Sequence, residues 1–573
     1  MKYLIQDIED IVGSDNVSLT PETRALYAKD ISSLPGLAGQ IVKDKFEMVI
    51  QPITVKSLMD LVRYTNEKGV QIVPRGSGTS GWGGILPSGK RSICISMIHM
   101  SRILHVDEYS LVTTVEAGIT WRELLMFLEQ IGLTLPVYPS SAAAATVGGF
   151  VASGGYGIGS AKHGDIRSQV AGIEVVLPNG YIARIGDVVL KTEDDLKEQA
   201  ENGETWLGRM IQAAQLEEDI DPLDLFMGTY GTMGIITKVT LRVIPKLMHA
   251  AFAATFENIE DLIDAATSIL EKTNPYHLRY ITDSYSSKVG PLRRRQDEYG
   301  KFILSGSLLS TVYDLEDGIE EIERIVNEKN GVRLSDERSK YYWNERLYPL
   351  RIKSLGPSLV PAEALLPTLK IPAMYNATMD TIGTSGVAIE GTISNDETAS
   401  LLVWILDDER KGLSYTLGWH RSFDIAKLAR NYGGKPYAVA LWNTPHADEF
   451  YGTQRLNDLR KIKNIIDPNN LLNPVKVFGG RISLGWESQL SGFGIGYIIA
   501  LLAQYFGPGI IGLNWLWQIL WSNSGGIGII PLSYVVALLG GSIGFFFVRS
   551  LSLTRAINFG IPVLRILRKI LRR

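Results

Sequence analysis

Val73-Pro74-Arg75-Gly76-Ser77-Gly78-Thr79-Ser80-Gly81-Trp82-Gly83-Gly84 follows directly on a β-branched run that starts at Val70. The glycines at 76, 78 and 81 reproduce the spacing Gly-x-Gly-x-x-Gly. A dinucleotide-binding turn of that kind must run into a helix whose N-terminus holds the pyrophosphate. Gly83, Gly84, Pro87 and Gly89 follow instead, and no helix starts through them. Gly84-Ile-Leu-Pro-Ser-Gly89-Lys90 is no phosphate loop either, since Arg91 occupies the position that needs Ser or Thr. What survives is a loop of exposed backbone N–H groups able to converge on an anion, with Thr79 and Ser80 adding hydroxyls. An ordinary glycine-rich turn is the alternative for this stretch taken alone.

Two further stretches bear on that choice. Pro139-Ser140-Ser141-Ala142-Ala143-Ala144-Ala145-Thr146-Val147-Gly148-Gly149-Phe150-Val151-Ala152-Ser153-Gly154-Gly155-Tyr156-Gly157-Ile158-Gly159 has side chains small enough for a large flat ligand to lie against backbone. Gly228-Thr-Tyr-Gly-Thr-Met-Gly234 leads into Ile235-Ile236-Thr237. Between them the chain reads as short strands and helices. A helix opened by Thr54 is closed by Gly69, strands fall near 92–97 and 111–117, a helix covers Thr120 to Ile131, and a strand covers Val170 to Val176. Residues 187–224 hold twelve acids against three bases and read as a solvated helical insertion. After 250, strands and helices alternate to about 445. Arg455 to Ile466 reads as a helix, and Val475-Lys-Val-Phe478 as a strand.

The whole chain has 573 residues, 45% hydrophobic and 21% charged, which suits several globular domains and excludes a disordered or fibrous chain. Cys94 is the only cysteine, so no intramolecular disulfide and no two-cysteine metal site can form. Residues 1–487 carry 50 Lys and Arg against all 61 Asp and Glu, an acidic body that argues against nucleic acid as a partner. The 61 residues from 488 to 548 carry no charge at all, enough for two membrane crossings of ~20 residues with a connection. Residues 549–573 hold seven Lys and Arg and no acid. On a helix, Val563, Leu564, Leu567, Ile570 and Leu571 would share one face, with Arg565, Arg568, Lys569, Arg572 and Arg573 mostly opposite. That pattern suits an anionic lipid surface. With no signal-peptide core at Met1-Lys2-Tyr3-Leu4 and a basic flank after the apolar stretch, the expectation is a cytoplasmic body on a two-crossing anchor.

The three glycine-dense stretches, in this order and spacing, resemble the FAD-binding domain of the vanillyl-alcohol oxidase family, also called PCMH-type. The branch of D-lactate dehydrogenases and glycolate oxidase flavoprotein subunits is the most similar. Tyr27-Ala-Lys-Asp30, Gly172-Ile-Glu-Val-Val-Leu-Pro-Asn-Gly180 and Ile466-Asp-Pro-Asn-Asn-Leu-Leu-Asn473-Pro-Val-Lys476 add to the likeness. It covers roughly 40–250 and 452–478. It implies an α+β, two-subdomain FAD-binding fold with an inserted α+β cap and, here, a C-terminal transmembrane helical hairpin. The expected organisation is an N-terminal segment at 1–40, the FAD-binding domain at 41–248 and a cap at 249–447. A returning segment at 448–485, two crossings within 492–548 and the basic tail at 549–573 follow.

Carried over by position, Arg75, Gly76, Ser77, Gly78, Thr79 and Ser80 would wrap the pyrophosphate. Pro139, Ser140, Ser141, Thr146, Gly148 and Gly149 would line the ribityl chain and flavin. Ser153, Gly155, Gly157 and Gly159 would continue that wall, Ile235 or Ile236 would receive the adenine end, and Asn473 would sit near the ring. Relatives with covalent flavin use a histidine where this chain has Thr79, so non-covalent FAD is expected. Close hydroxy-acid dehydrogenases carry a two-histidine metal run and a Glu-His pair. Here Gly386-Val-Ala-Ile-Glu390-Gly and Gly433-Gly-Lys-Pro-Tyr437-Ala-Val-Ala440 stand in their places, so no metal is expected.

Oxidising a hydroxy acid requires a cation for the carboxylate and a base for the hydroxyl proton. Arg346 and Arg351 are the cationic candidates, and His420 or Tyr437 the acid/base. The resulting expectation is a membrane-anchored FAD dehydrogenase of an organic hydroxy acid, passing electrons to a membrane quinone, with partner redox subunits possible. A flavin oxidase or reductase acting on a polyol, sugar acid or lipid stays open, as does a non-catalytic FAD-binding anchor subunit.

Overall fold

The computed structural model describes residues 2–32, 45–87, 92–188, 196–289, 298, 300–310, 312–347, 349–356, 358–383, 386–395, 397–411, 415 and 421–479. The expected crossings, the basic tail and His420 lie outside the described residues. Among the described residues no helix is long and apolar enough to cross a membrane.

The described residues before the cap make two larger sheets and one short ribbon. Strands β1 (Val17–Ser18), β2 (Val49–Ile50), β3 (Gln71–Arg75) and β4 (Ser92–Ser96) form a sheet in the order β1-β2-β4-β3, with β2 and β3 both parallel to β4. The helix Val55–Glu67 connects β2 to β3. Thr54 caps its start by accepting from Ser57 N, and Val55, Leu58, Met59, Leu61 and Val62 form its buried stripe.

Strands β5 (Ile103–Asp107), β6 (Val112–Glu116), β8 (Val170–Val176), β9 (Ile182–Gly186) and β10 (Ile235–Arg242) form an antiparallel sheet in the order β5-β6-β10-β8-β9. A two-stranded ribbon of β7 (Leu133–Thr134) and β11 (Ile244–Pro245) lies apart. Strand β8 is buried along its whole length, so its one acid must be paired. Glu174 meets Lys238 of β10 at 3.1 Å and accepts from the Thr237 hydroxyl. The acidic stretch after β9 contains the helix Lys197–Ala213, which is not simply solvated. Ala200, Gly203 and Leu207 are buried, and a Cβ on Gly203 would lie 1.9 Å from Ile182 O.

The cap is an eight-stranded antiparallel sheet. Its strands are β12 (Met248–Phe256), β13 (His277–Ile281), β14 (Phe302–Ser310), β15 (Val332–Arg333), β16 (Ser358–Pro367), β17 (Val387–Ile393), β18 (Thr398–Asp407) and β19 (Lys435–Pro436). The order is β15-β12-β14-β13-β17-β18-β16-β19. The period of two sorts its side chains. Leu278, Tyr280, Ile389, Leu401, Val403, Ala362 and Ala364 point to one face, into a core shared with the helices Ile259–Thr273, Val312–Glu328 and Ile371–Ile382. Each large apolar side chain buried there contributes ~1.5–3 kcal/mol. The intervening residues turn the other way, towards the FAD-binding half.

After the cap, the helix Thr453–Ile466 returns to the first half. The β-branched run at 475–478 is not the strand its composition suggests. Val475 and Val477 have φ of 63° and 61°, and the segment is held by tertiary bonds. Asn473 N donates to Ile72 O at 2.7 Å, Val477 N to Ala440 O at 2.7 Å, and Lys476 Nζ to Leu86 O at 2.8 Å. Tertiary contacts override strand propensity here.

Candidate active site

Two contiguous cavities run between the halves. The smaller is lined by Arg75, Gly76, Thr146, Gly148, Gly149, Ile235 and Ile236, and the larger continues from Gly76, Thr146 and Gly149 to the cap sheet. Ser77, Gly78, Thr79, Ser80, Pro139, Ser140, Ser141, Ser153 and Gly157 line the larger one. The long, narrow course and small-residue walls fit a dinucleotide. A Cβ on Gly76 would lie 2.2 Å from Thr146 Oγ1, so only glycine lets this loop press against the start of the helix Val147–Ser153. Gly78 takes the left-handed φ of 76°.

Tyr27-Ala-Lys-Asp30 holds the first loop from behind. Arg75 lies over the Tyr27 ring and donates to Tyr27 O (2.9 Å), Lys29 O (3.0 Å) and Ser77 O (3.2 Å). Asp30 accepts from Gly83 N at 2.9 Å and Ser32 N at 2.9 Å, and burial pushes its pKa up to about 7. Arg75 therefore shapes the loop with its guanidinium, leaving backbone N–H groups to face a ligand. Three of the expected cofactor residues line neither cavity. A Cβ on Gly155 would meet Tyr437 Oη at 2.6 Å, and one on Gly159 would meet Pro136 O at 1.9 Å. Asn473 is buried, and its Nδ2 donates to Gly84 O and Tyr230 O at 3.0 and 2.7 Å, tying two glycine loops together. Cys94 is buried in β4, its thiol pushed up to about 12 by desolvation, and it lines neither cavity.

The cap closes the larger cavity with the alternate positions of its central strands. His277 and Arg279 come from β13, Glu390 and Thr392 from β17, Ser400, Leu402 and Trp404 from β18, and Pro361 and Glu363 from β16. The register puts Glu390 opposite Leu402 and Leu402 opposite Glu363, so the two acids share one row across three strands. Glu390 is neutralised. Its Oε2 accepts from Arg279 Nε at 2.7 Å and from Nη2, and its Oε1 accepts from Trp404 Nε1 at 2.7 Å. Glu363 has no such cation. The protein packed around it and the nearby Glu390 charge push its pKa up to about 8, while its accessible face opens on the cavity.

Two of the four residues expected to do chemistry meet on this cavity. Arg346 lies 4.0 Å over the Trp343 ring and donates to Tyr138 Oη at 3.1 Å and Trp343 O at 2.9 Å. No carboxylate among the described residues pairs with it. Tyr437 reaches from just beyond β19 to the opposite half, where Oη accepts from Tyr156 N at 2.9 Å and donates to Tyr156 O at 3.1 Å. Burial and the acid at 363 push its pKa far above the ordinary phenol value. Tyr437 is thus a clasp between the halves, a poor proton acceptor at neutral pH. Arg351 lies in the short helical segment Pro349–Leu355, and nothing is described of its side chain.

Sequence reasoning passed over His277, Arg279, Glu363 and Trp404, and took Glu390 only as a departure from a metal motif. The signal was present as single polar residues inside apolar strand runs, which is costly unless they serve something. His163, His249 and His277, distant in sequence, gather around Tyr276 and Trp343 with ring centroids 5.1 to 6.3 Å apart. Among the described residues no three His, Cys, Asp or Glu side chains group as a metal site would require.

Residues 46–186 match the family profile described as an FAD binding domain. The chain is 26% identical to glycolate oxidase subunit GlcD of Bacillus subtilis (strain 168), over 83% of its length and 97% of that protein's. It is 24% identical to D-lactate dehydrogenase of Anaerostipes hadrus, covering 80% of this chain and 98% of that one. Among solved structures, p-cresol methylhydroxylase with substrate bound superposes with a TM-score of 0.68 at 16% identity, covering 83% of this chain and 96% of that one. Alkyldihydroxyacetonephosphate synthase gives 0.62 at 17% identity, with 83% and 85% covered. These structures share the PCMH-type α+β fold.

Proposed function

We propose that this chain, an FAD-dependent oxidoreductase acting on CH–OH donors and built on a PCMH-type FAD-binding domain, dehydrogenates a small organic 2-hydroxy acid. The observation that carries the reading is the charge pattern of the cap wall. Arg279 is cancelled by Glu390, Glu363 is held protonated at neutral pH, and no carboxylate among the described residues pairs with Arg346. One uncompensated guanidinium in a buried wall suits one carboxylate. The relatives named glycolate oxidase subunit and D-lactate dehydrogenase favour the same substrate class.

FAD, held without a covalent bond, would lie along the two cavities. Its phosphates would meet the backbone of 76–80, its adenine end Ile235 and Ile236, and its ring the loop 139–141 and the helix start at Thr146. Bound there, it supplies the hydride acceptor. The protein's own part is to hold the carboxylate at Arg346, to seal the cavity with Tyr437, and to hold a neutral donor at Glu363. Arg351 and His420 stay as further candidates from the sequence.

The charge-free stretch 488–548 and the basic tail favour attachment to a membrane by two crossings, with the catalytic body on the cytoplasmic side and quinone as electron acceptor. The test uses the full chain in detergent with FAD, under anaerobic conditions, with glycolate, D-lactate and L-lactate added separately. Bleaching of the visible flavin band by one of them, and reoxidation by a soluble quinone with little peroxide formed in air, supports the reading. Fast peroxide formation with no quinone reduction points to an oxidase, and a flavin that no hydroxy acid bleaches overturns the substrate class.

A further inference from the structure

His277 is buried in a way that its hydrogen bonding does not explain. It is 3% exposed, it lines the larger cavity, and neither ring nitrogen has a hydrogen-bond partner among the described residues. Buried polar atoms in folded proteins nearly always find one. An imidazole with both nitrogens free on a cavity wall is therefore completed by whatever enters the cavity.

Its surroundings set its charge. On its own strand, Arg279 lies two residues along. The turn Glu345–Leu347 brings Arg346, and the preceding helix brings Trp343, whose ring centroid is 6.3 Å away. Ser307 lies opposite on β14, but its hydroxyl is engaged with Leu308 O at 3.0 Å and His249 Nδ1 at 3.2 Å. On β17, Thr392 is uncharged and Glu390 is held by Arg279 and Trp404. Burial first, then the two guanidiniums, push the imidazole down to about 3. It is neutral at any physiological pH and keeps a lone pair to offer.

We propose that His277 is the catalytic residue that takes the hydroxyl proton of the substrate while Arg346 holds the carboxylate of the same molecule. This rests on the hydroxy-acid reading above. The O–H bond breaks, its electron pair becomes the second C–O bond, and the proton goes to a ring nitrogen of His277. The C–H bond on the same carbon breaks with its electron pair, and that hydride goes to bound FAD. The alcohol carbon would be oxidised by two electrons to a carbonyl, a ketone from lactate or an aldehyde from glycolate, with bound FAD as the electron acceptor, and His277 would later release its proton to solvent. The substrate carboxylate would offset the field of Arg346, the smallest of the three influences that disfavour the imidazolium, and so shift the ring towards protonation when substrate is in place. Glu363 is the other titratable group on the wall and plays the opposite part. It is a neutral acid at pH 7 and can donate a hydrogen bond, whereas His277 can accept a proton.

The test uses the FAD-loaded full chain in detergent and the variants H277N and H277Q, with the flavin spectrum confirming that cofactor is retained. In anaerobic rapid mixing with the hydroxy acid that bleaches wild type, H277N should reduce its flavin at least ~100-fold more slowly, with Kd for the hydroxy acid changed less than about 3-fold. A second reading does not depend on turnover. Propionate, a carboxylate without the hydroxyl, is titrated calorimetrically near pH 5.5 in two buffers of different ionisation enthalpy. Wild type should take up protons on binding, and H277N should take up none. Should H277N lose its flavin, H277Q carries both measurements. A variant that keeps its rate within about 5-fold of wild type, or that shows the wild-type proton uptake, overturns the proposal and leaves the substrate class standing. If no hydroxy acid bleaches wild type, the substrate class and the proposal fall together.

Discussion

Replacing Glu390 by glutamine removes one charge while keeping the shape of the side chain, and the geometry around it sets the cost. Arg279 and Glu390 are 9% and 4% exposed. Both Arg279 donors converge on Oε2, and Trp404 Nε1 bonds Oε1 at 2.7 Å. The glutamine carbonyl can keep the Trp404 bond, which turns its NH₂ towards the guanidinium. Two charge-assisted bonds are lost and a cation is left buried without a counter-charge. Breaking a buried pair in this way costs about 3–5 kcal/mol. For a cap of this size that is a fall in Tm of roughly 6–20 °C. R279M should cost a similar amount, since it strands the carboxylate instead. The double variant R279M/E390Q leaves no buried charge and should be more stable than either single variant. The assay is thermal unfolding of the FAD-loaded protein in detergent at pH 7, followed by tryptophan fluorescence, with all four corners of the cycle measured. An E390Q protein within about 1 kcal/mol of wild type, or a double variant that loses the sum of the two singles, would refute the claim that this pair is a tightly coupled unit.

Three further outcomes follow from the same wall and the loops facing it. R346M should weaken hydroxy-acid binding roughly 10- to 150-fold, the value of a charge-assisted contact of about 1.5–3 kcal/mol, while the unliganded flavin spectrum stays as it was; spectral titration reads both. E363Q should match wild type at pH 3, where the acid is protonated in both folded and unfolded chains. Because the folded pKa is raised from 4.5 to about 8, the unfolded chain gives up its proton first as pH climbs. Wild type then loses stability through that window and E363Q does not. The variant should melt several degrees above wild type at pH 9, and an equal gap at both pH values would contradict the assignment. A Cβ at position 157 would lie 2.2 Å from Tyr138 O, where Tyr138 and Ile158 form an antiparallel bridge. G157A should therefore displace Pro139 to Ser141 and raise Kd for FAD at least 10-fold in equilibrium dialysis of the refilled apoprotein.

The FAD-binding half was legible in the sequence because its loops are specified locally. A run of glycine, alanine and serine describes the shape of a wall by itself, and Arg75 to Ser80, Pro139 to Ser141 and Thr146 to Gly149 fall along the cavities. The cap wall was not legible. His277, Arg279, Glu363, Glu390 and Trp404 sit one or two to a strand on four strands that are neighbours in the sheet and spread over more than 120 residues of chain. Only the order β13-β17-β18-β16 lines them up. Arg346 was singled out as a cation near aromatics, but its value comes from what is absent around it, and that needed the whole packing. Asn473 was placed beside the ring, yet it binds two backbone carbonyls instead. A polar residue in a motif is equally well explained by either role until its partners are known.

The returning segment has a consequence for how the protein is made. Lys463 Nζ is buried and bonds Thr232 O at 2.7 Å, Asp467 Oδ2 at 2.5 Å and Leu472 O at 2.9 Å. Asn473 and Lys476 then reach Gly84, Tyr230 and Leu86. The loops that would cradle the cofactor are thus fastened by residues made some 230 to 390 positions after them. A nascent chain that has emerged only as far as the cap has its first glycine loop held by Arg75 and Asp30 but lacks the bonds from Lys463, Asn473 and Lys476, so cofactor capture is expected late in its synthesis. A chain cut short before Lys463 is expected to hold FAD more weakly than the full chain, and bound flavin would then stabilise completed chains selectively.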